Sequence, residues 1–302
     1  FEGYKSLVET MGKLAWPKKP KFIFASNAFD TEEIFKVWAA SKVEKDVPYV
    51  TGQHGNNYGT SELEATSCWP ERATADKFIT WGWTTCEKEI PAFVLSNAGR
   101  RPRKFDDTGG LLLIECCKNP SVMNYDTYYE FVMYMEEQFR FVEKIPEHIH
   151  QNLIVRLHTP YEEIRYSEEQ RWNDRSPDTK IEGGALNIRK LISQNRLIVH
   201  SYDSTGILQT LALNIPTICF WRNSLSHLLP SAKPFYELLH NANILFYTPE
   251  AAAEFIGLHW DCISEWWQSD KVQDARQIFC DKYARTSDQP VQELKNILKS
   301  FF

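Results

Sequence analysis

The chain has 302 residues, a formal net charge of −6 and an aromatic content of 14%, including ten tryptophans. The length suits two domains of ordinary size, and an acidic balance without a basic stripe excludes a general nucleic-acid-binding protein. No apolar run approaches membrane-spanning length, and the seven cysteines follow no zinc-site spacing. An odd number of mostly apolar-flanked thiols is typical of a reducing cytoplasm.

The first third of the chain alternates between predicted strands and helices. Apolar, β-rich runs predict strands at 21–26 (KFIFAS), 47–51 (VPYVT) and 77–83 (KFITWGW). Apolar residues at helical spacing predict a helix over 31–43. The stretch 98–110 mixes Gly, Arg, Pro and Asp without periodicity, so we interpret it as a linker.

Two polar features follow these strands. Asp30 is a carboxylate beyond the first strand; the alternative is that it caps the helix over 31–43, with Glu33 as its capping-box partner. The loop GQHGNNYG surrounds His54 with glycines, so backbone amides can approach a ligand, although it matches no Walker or dinucleotide motif. His54 is a candidate acid/base or phosphate-binding group; the alternative is a turn histidine bonded to its own backbone.

The rest of the chain continues the α/β alternation and ends in helices. The predicted strands are 111–116, 153–157, 197–200, 215–220 and 244–247, and the predicted helices are 125–142, 185–193, 233–241 and 249–256, followed by a helical tail over 261–302 that is interrupted around 285–290. Thr248 is the predicted cap of the helix that begins at Pro249.

The segment RLIVHSYDSTGILQTLALNIPTICFW reads as strand, helix and strand, which is a βαβ unit with parallel strands. Its first turn presents hydroxyls and backbone N–H groups at a helix N-terminus, where the helix dipole favours an anion such as a phosphate. The residues of this turn that we select are Ser201, Ser204, Thr205 and Gly206. The alternative is that Ser204 or Asp203 only caps the helix.

Other polar or aromatic residues follow the neighbouring strands. Arg156 and His158 alternate along the strand end RLHTP, and Glu182 precedes two glycines after a short strand, where it can accept hydrogen bonds from base or ribose hydroxyls. Trp221 follows the second strand of the βαβ unit. Each signal is weak alone, but together they predict a ligand-binding site along the carboxyl ends of the strands.

The alternation predicts an α/β fold of two Rossmann-like lobes that face a cleft, as in GT-B proteins. We expect a first lobe over 1–98, a linker over 99–110, a second lobe over 111–286 and a C-terminal helix over 287–302 that packs back on the first lobe. The first lobe is short for a complete domain and the chain begins at Phe1 rather than Met, so we expect this lobe to be incomplete.

The motifs VHSYDSTGILQTLALNIPTICFW, GQHGNNYG and FITWGW together resemble a family of bacterial GT-B-type transferases of surface-polysaccharide assembly. That family includes the retaining β-Kdo transferases, which use CMP-Kdo. The resemblance implies a nucleotide-sugar donor in the second lobe, with its phosphate on Ser204, Thr205 and Gly206, and an acceptor in the first lobe. The other donor-side residues are Arg156, His158, Glu182, Ser201 and Trp221, and the acceptor-side loop residues are Gln53, Gly55 and Tyr58.

In a retaining transferase of this kind, a carboxylate attacks the anomeric carbon and an acceptor hydroxyl then displaces it. Asp30 is our candidate for that carboxylate, with His54 assisting. We expect no metal and no cofactor besides the donor, because no DxD-like motif stands at a strand end. The alternatives are a nucleotide-sugar epimerase or hydrolase on the same fold, and a non-catalytic nucleotide-sugar-binding module.

The expected acceptor is a glycan or a glycolipid, and the expected location is the cytoplasm, at the inner face of the membrane if the acceptor is lipid-linked. The basic run over 100–104 is a candidate for peripheral contact with anionic headgroups. The alternative is a solvated linker.

Overall fold

The structure, a computed structural model, describes residues 3–66, 69–100, 108–116, 127–158, 167–222 and 224–301, with the backbone alone at 66 and 127–130. The chain divides into two units. The first consists of Phe1–Gly99, His227–Ala232 and Cys280–Phe302, and the second consists of Arg100–Ser226 and Lys233–Phe279. Two later stretches of chain therefore belong to the same unit as residues 1–99. The second of them starts at 280, whereas the predicted C-terminal segment starts at 287.

The described part of the first unit contains a parallel sheet whose four strands lie side by side in chain order. These are β1 (Ile23–Ala25), β2 (Tyr49–Gly52), β3 (Lys77–Thr80) and β4 (Glu89–Pro91). Three of them confirm the predicted strands. β3 ends before Trp83 because Gly82 has a φ of +129° and the Thr80 hydroxyl donates to the Trp83 carbonyl, which closes a turn.

Helices cover both faces of this sheet. They are α1 (Tyr4–Lys13), α2 (Ala28–Thr31), α3 (Glu33–Val43), α4 (Glu62–Thr66), α5 (Pro70–Ala73) and, from the end of the chain, α15 (Pro290–Lys299). On one face, Ile23 and Tyr49 pack against Ala39 of α3. On the other face, Val50 and Ile79 form a core that is closed by apolar side chains of α15.

The helix predicted over 31–43 is present as α3, which begins at Glu33, and a separate short helix, α2, precedes it. Glu32 stands between them with a φ of −95° and a ψ of 84°, and it makes no side-chain capping bond. Asp30 therefore lies inside α2 rather than at a cap, and Glu33 pairs with Lys36 at 2.5 Å. The capping-box interpretation of Asp30 and Glu33 is wrong.

The described part of the second unit contains a parallel sheet of six strands. They are β5 (Gly110–Ile114), β6 (Leu153–Arg156), β7 (Lys180–Glu182), β8 (Asn195–His200), β9 (Thr217–Phe220) and β10 (Leu245–Phe246). Their spatial order is β7-β6-β5-β8-β9-β10, so the chain starts at the centre, winds outwards on one side and then outwards on the other. This 3-2-1-4-5-6 order is that of a doubly wound Rossmann sheet.

Helices surround this sheet as well. They are α6 (Thr127–Lys144), α7 (Glu147–His150), α8 (Glu168–Arg175), α9 (Ile188–Ser193), α10 (Thr205–Ala212), α11 (Lys233–Asn241), α12 (Pro249–His259), α13 (Ile263–Gln268) and α14 (Asp270–Tyr283), whose end belongs to the first unit. Thr248 caps α12 as predicted and accepts a hydrogen bond from the N–H of Ala251 at 3.2 Å. Across the described residues, no helix is long and apolar enough to span a membrane.

Candidate functional sites

The central strands β5 and β8 of the second unit define a topological switch point. The chain leaves β5 towards β6 on one side and leaves β8 towards β9 on the other. Open sheets of this kind bind ligands outside the carboxyl ends of the strands at such a point. The residues that follow β5 and β8 are therefore the first candidates for a binding site.

Ser204 begins α10 directly after β8. Its Oγ accepts a hydrogen bond from the N–H of Ile207 at 3.2 Å, so the predicted capping role of Ser204 is confirmed. Thr205 and Gly206 form the first turn of this helix, and Gly206 packs against the imidazole of His200. The turn has the geometry in which a helix dipole stabilises an anion.

His200 ends β8 and is a residue that the sequence analysis did not select. Its imidazole is almost fully buried, and this burial lowers its pKa to about 3, so the ring is neutral. Nδ1 lies 3.4 Å from the Ser204 hydroxyl, and Nε2 has no hydrogen-bond partner among the described residues. The imidazole thus serves as packing beneath the first turn of α10.

Ser201 is fixed in a buried hydrogen-bond network at the same edge. Its hydroxyl lies 2.6 Å from the Tyr134 hydroxyl and 3.3 Å from the carbonyl oxygen of Ile114. The Tyr134 oxygen also accepts from the N–H of Cys116 at 2.7 Å, and burial raises the pKa of Tyr134 well above its ordinary value. The network joins the ends of β5 and β8 to α6.

Two buried carboxyl groups, also missed from the sequence, lie beyond β5. Glu115 is almost fully buried; its Oε1 accepts from the indole N–H of Trp172 at 3.1 Å, and its Oε2 has no partner among the described residues. Burial and the negative charge of Glu168 raise the pKa of Glu115 well above its ordinary value, and burial raises the pKa of Glu168 to about 7. Glu115 could have been selected because it directly follows the apolar run LLLI.

Arg156 and Glu182 lie opposite each other on β6 and β7 and form an ion pair. Glu182 also accepts hydrogen bonds from the backbone N–H groups of Gly184 at 3.2 Å and Leu186 at 2.8 Å. Both charged side chains are about nine-tenths buried. The structure thus brings together two of the predicted donor-side residues in an ion pair that links β6 to β7. His158, the residue predicted beside them, lies exposed just beyond β6.

Trp221 follows β9 but is packed in the core. Its indole N–H donates to the carbonyl oxygen of Ser224 at 2.8 Å, and its ring meets Tyr236 edge-to-face at 6.2 Å.

In the first unit, most of the loop GQHGNNYG is held by internal contacts. Oε1 of Gln53 accepts hydrogen bonds from the N–H of Trp81 at 3.0 Å and from the indole of Trp83 at 2.8 Å, and its amide donates to the Gly55 carbonyl at 2.8 Å. A Cβ added to Gly59, whose φ is +70°, would lie 2.4 Å from the Trp83 ring. Gln53, Gly55 and Gly59 therefore shape the loop.

His54 is an exposed side chain of this loop, and it lines a cavity of about 530 Å³ together with Asp30. The walls are mainly apolar and are formed by Phe29, Phe35, Ala39, Ala40, Val43, Trp69 and Pro70. A concave apolar site with a few polar groups is the usual form of a small-molecule site. Asp30 and His54, predicted separately, thus share one site.

Tyr58 and Glu71 stand behind His54. The Tyr58 hydroxyl donates to Oε1 of Glu71 and lies 3.1 Å from Nδ1 of His54. Burial and the hydrogen bond to Glu71 raise the pKa of Tyr58 well above its ordinary value. Glu71 has no local signal in the sequence, because it lies thirteen positions from Tyr58 and only the fold brings the two side chains together.

Two parallel-sheet α/β units, the second wound as a Rossmann sheet, define the GT-B-like class of proteins. The solved structures of similar fold support this assignment. The chain belongs to the LIC12162 family of transferases, whose sequence profile matches residues 1–298. No curated protein sequence matches it.

Three solved structures illustrate the fold. S. aureus MnaA with UDP is 10% identical, with a TM-score of 0.56 over 98% of this chain and 80% of that one. A Listeria monocytogenes protein assigned as a UDP-N-acetylglucosamine 2-epimerase is 12% identical, with a TM-score of 0.58 over 99% of this chain and 79% of that one. Anabaena HepE in complex with UDP-glucose is 11% identical, with a TM-score of 0.54 over 98% and 80%.

Proposed function

We propose that this protein is a glycosyltransferase that moves a sugar from a nucleotide-activated donor to a glycan or glycolipid acceptor. Membership of a transferase family supports the reaction class. Two proteins of the same fold were solved with UDP and with UDP-glucose, which supports a nucleotide-sugar donor. The observation that carries the proposal is the helix α10, capped by Ser204 at the switch point of the Rossmann sheet.

The proposal divides the work between the two units. In the second unit, the donor phosphate binds at the N-terminus of α10, on Ser204, Thr205 and Gly206, where the helix dipole offsets its charge. In the first unit, the cavity lined by Asp30 and His54 binds the acceptor. Donor and acceptor are the only small molecules that the proposal requires.

The finer proposal follows the sequence resemblance: the donor is a CMP-activated acidic sugar such as Kdo, and the reaction retains configuration. The Asp30 carboxylate attacks the anomeric carbon while the bond to the CMP phosphate breaks, giving a glycosyl-enzyme. The acceptor hydroxyl then displaces Asp30 and loses its proton to His54. We expect the reaction to take place in the cytoplasm, at the inner face of the membrane if the acceptor is lipid-linked.

Calorimetric titration with CMP, UDP, GDP and CMP-Kdo tests the donor site. Ser204→Ala and Thr248→Ala are a matched pair, since both residues cap a helix through a 3.2 Å hydrogen bond. Each variant should lose about 1 kcal/mol of stability. Only Ser204→Ala should weaken nucleotide binding, by about 10-fold, the loss of one hydrogen bond to a charged group. If the two variants bind nucleotide with equal affinity, the donor phosphate does not bind at the N-terminus of α10.

The choice of nucleotide tests the finer proposal separately. Selective binding of CMP and CMP-Kdo supports the Kdo donor. Binding of UDP or GDP alone is compatible with a transferase but excludes Kdo as the donor sugar.

An epimerase or hydrolase is the second candidate, because a protein assigned as an epimerase shares the fold over 99% of this chain. Such an enzyme converts the donor when no acceptor is present. Chromatography of the nucleotide sugar after incubation with the protein alone separates the two functions: a transferase should leave almost all of the donor unchanged. A non-catalytic binding module would also leave the donor intact, but it would give no product with any acceptor.

A further inference from the structure

Tyr58 forms a bridge between a buried carboxylate and an exposed imidazole. Its hydroxyl donates to Oε1 of Glu71, and its oxygen lies 3.1 Å from Nδ1 of His54. Glu71 is 2% exposed and Tyr58 is 3% exposed, whereas His54 faces the cavity that it shares with Asp30. The three side chains form a hydrogen-bonded line from Glu71 through Tyr58 to His54, and the residues at both of its ends border the cavity.

The direction of the hydrogen bond from Tyr58 determines which ring nitrogen of a neutral His54 carries the hydrogen. A phenol has one proton, and the Tyr58 proton points to Glu71. Towards His54 the phenol oxygen can therefore only accept, so Nδ1 of a neutral His54 must carry the hydrogen. Nε2 is then left with a lone pair, which can accept a proton.

The surroundings of Tyr58 hold this arrangement in place. Its ring contacts the rings of Trp69 and Phe78, with centroid distances of 5.6 Å and 5.5 Å, and these contacts restrict its movement away from Glu71. The backbone carbonyl of Glu71 accepts a hydrogen bond from the Thr51 hydroxyl at 2.6 Å, which ties α5 to β2. The raised pKa of Tyr58 means that the phenol keeps its proton at neutral pH.

We propose that Glu71, acting through Tyr58, is a positioning residue that holds His54 in the Nδ1–H tautomer and so makes Nε2 the proton acceptor for a hydroxyl group bound in the cavity. This inference rests on the proposed transferase function. In the transfer step, the acceptor O–H bond breaks and its proton passes to Nε2. The acceptor oxygen forms its bond to the anomeric carbon, and the bond from that carbon to the Asp30 carboxylate breaks with its electron pair on the carboxylate.

The tautomer can be measured without any substrate, by ¹⁵N NMR of the histidine side chains at about pH 9, where an ordinary histidine is neutral. His54→Asn assigns the signal by its disappearance. The wild type should show the Nδ1–H form. In Glu71→Gln the amide can donate to Tyr58, which frees the phenol proton to turn towards His54, so the Nε2–H form should increase. Tyr49→Phe is the control: it removes a buried neighbouring phenol that makes no bond to His54, and the tautomer should not change.

Transfer kinetics then connect the tautomer to the reaction. Tyr58→Phe and Glu71→Gln should lower kcat by at least about 10-fold with little change in the acceptor KM, because binding is kept and the base is misoriented. Circular dichroism and thermal unfolding of both variants verify that they are folded.

An Nε2–H signal in the wild type would overturn the inference, as would a tautomer that is the same in Glu71→Gln. An unchanged kcat in both variants would also overturn it. If the tautomers behave as expected but no donor and acceptor pair reacts, the proposed function fails while the arrangement of Glu71, Tyr58 and His54 is supported.

Discussion

Gly206 lies directly against the imidazole of His200: a Cβ atom added to Gly206 would stand 2.5 Å from Cε1 and 3.0 Å from Nδ1 of that ring. His200 is 2% exposed and ends the central strand β8, so the ring cannot turn out towards solvent. Packing therefore requires a glycine in the first turn of α10, whether or not a phosphate binds there.

Gly206→Ala should destabilise the protein by about 1–3 kcal/mol, the usual effect of forcing an extra methyl group into a packed core. Denaturant unfolding followed by tryptophan fluorescence measures this change. Gly12→Ala in α1 is the matched control, since an added Cβ there meets no atom within 4 Å and should stabilise its helix by about 0.5–1 kcal/mol. A Gly206→Ala variant with wild-type stability would show that the contact with His200 relaxes easily.

Asp30→Asn tests the proposed nucleophile. Asp30 is exposed and lines the cavity, so the free energy of unfolding should change by less than about 0.5 kcal/mol. Sugar transfer should fall by more than about 100-fold, because the amide cannot replace a carboxylate at the anomeric carbon. Glu32→Gln, an exposed neighbour without a capping bond, is the control and should transfer normally. Wild-type rates in Asp30→Asn would exclude Asp30 from the reaction.

Ala40→Phe tests whether the acceptor occupies the cavity of the first unit. Ala40 lies on α3 at the cavity wall and is exposed, so the larger ring can fill the cavity without disturbing the core. The acceptor KM should rise by about 10-fold or more, the value of one good apolar contact, with donor affinity unchanged. Ala251→Phe adds the same ring to an exposed site on α12 and should leave both constants unchanged. Equal acceptor KM values in the two variants would place the acceptor elsewhere.

Glu168→Gln should change how stability depends on pH. The native carboxyl stays protonated up to about pH 7, whereas its ordinary pKa is about 4.5. Between these values the native state binds more protons than the unfolded state, so this group lowers the free energy of unfolding as pH rises from 4.5 to 7. Glutamine cannot ionise, so Glu168→Gln should melt a few degrees higher than the wild type above pH 7.

The comparison of melting temperatures at several pH values checks this. The two proteins should converge below about pH 4.5, where the Glu168 carboxyl is protonated in the native state and mostly protonated in the unfolded state. Glu169→Gln, the exposed neighbour, should follow the wild type at every pH. A constant difference between Glu168→Gln and the wild type would mean that the carboxyl titrates normally.

Much of the fold could be predicted because its signals are local. Apolar runs such as the one over 111–116 and the caps Ser204 and Thr248 depend only on neighbouring residues, and the structure has them in place. The end of β3 was missed because it depends on a turn at Gly82, whose φ of +129° is not visible in an alternating sequence.

The site was less predictable, because its contacts join residues that are distant in the chain. Asp30 and His54 were selected one at a time, as polar residues after strands, and only the fold places them in one cavity. The pairing of Arg156 with Glu182 and the line from Glu71 to His54 depend on strand order and helix packing. Residues 227–232 carry no local signal for joining the first unit.

The return of Cys280–Phe302 to the first unit has a consequence for biosynthesis. The N–H of Val94 donates to the Arg285 carbonyl at 2.8 Å, the N–H of Arg285 donates to the Trp81 carbonyl at 2.9 Å, and α15 covers the core around Val50. The ribosome makes residues 1–99 before the second unit, and it must translate the whole of the second unit before Arg285 and α15 emerge. The apolar face around Val50 therefore stays uncovered on the nascent chain until the second unit has been translated.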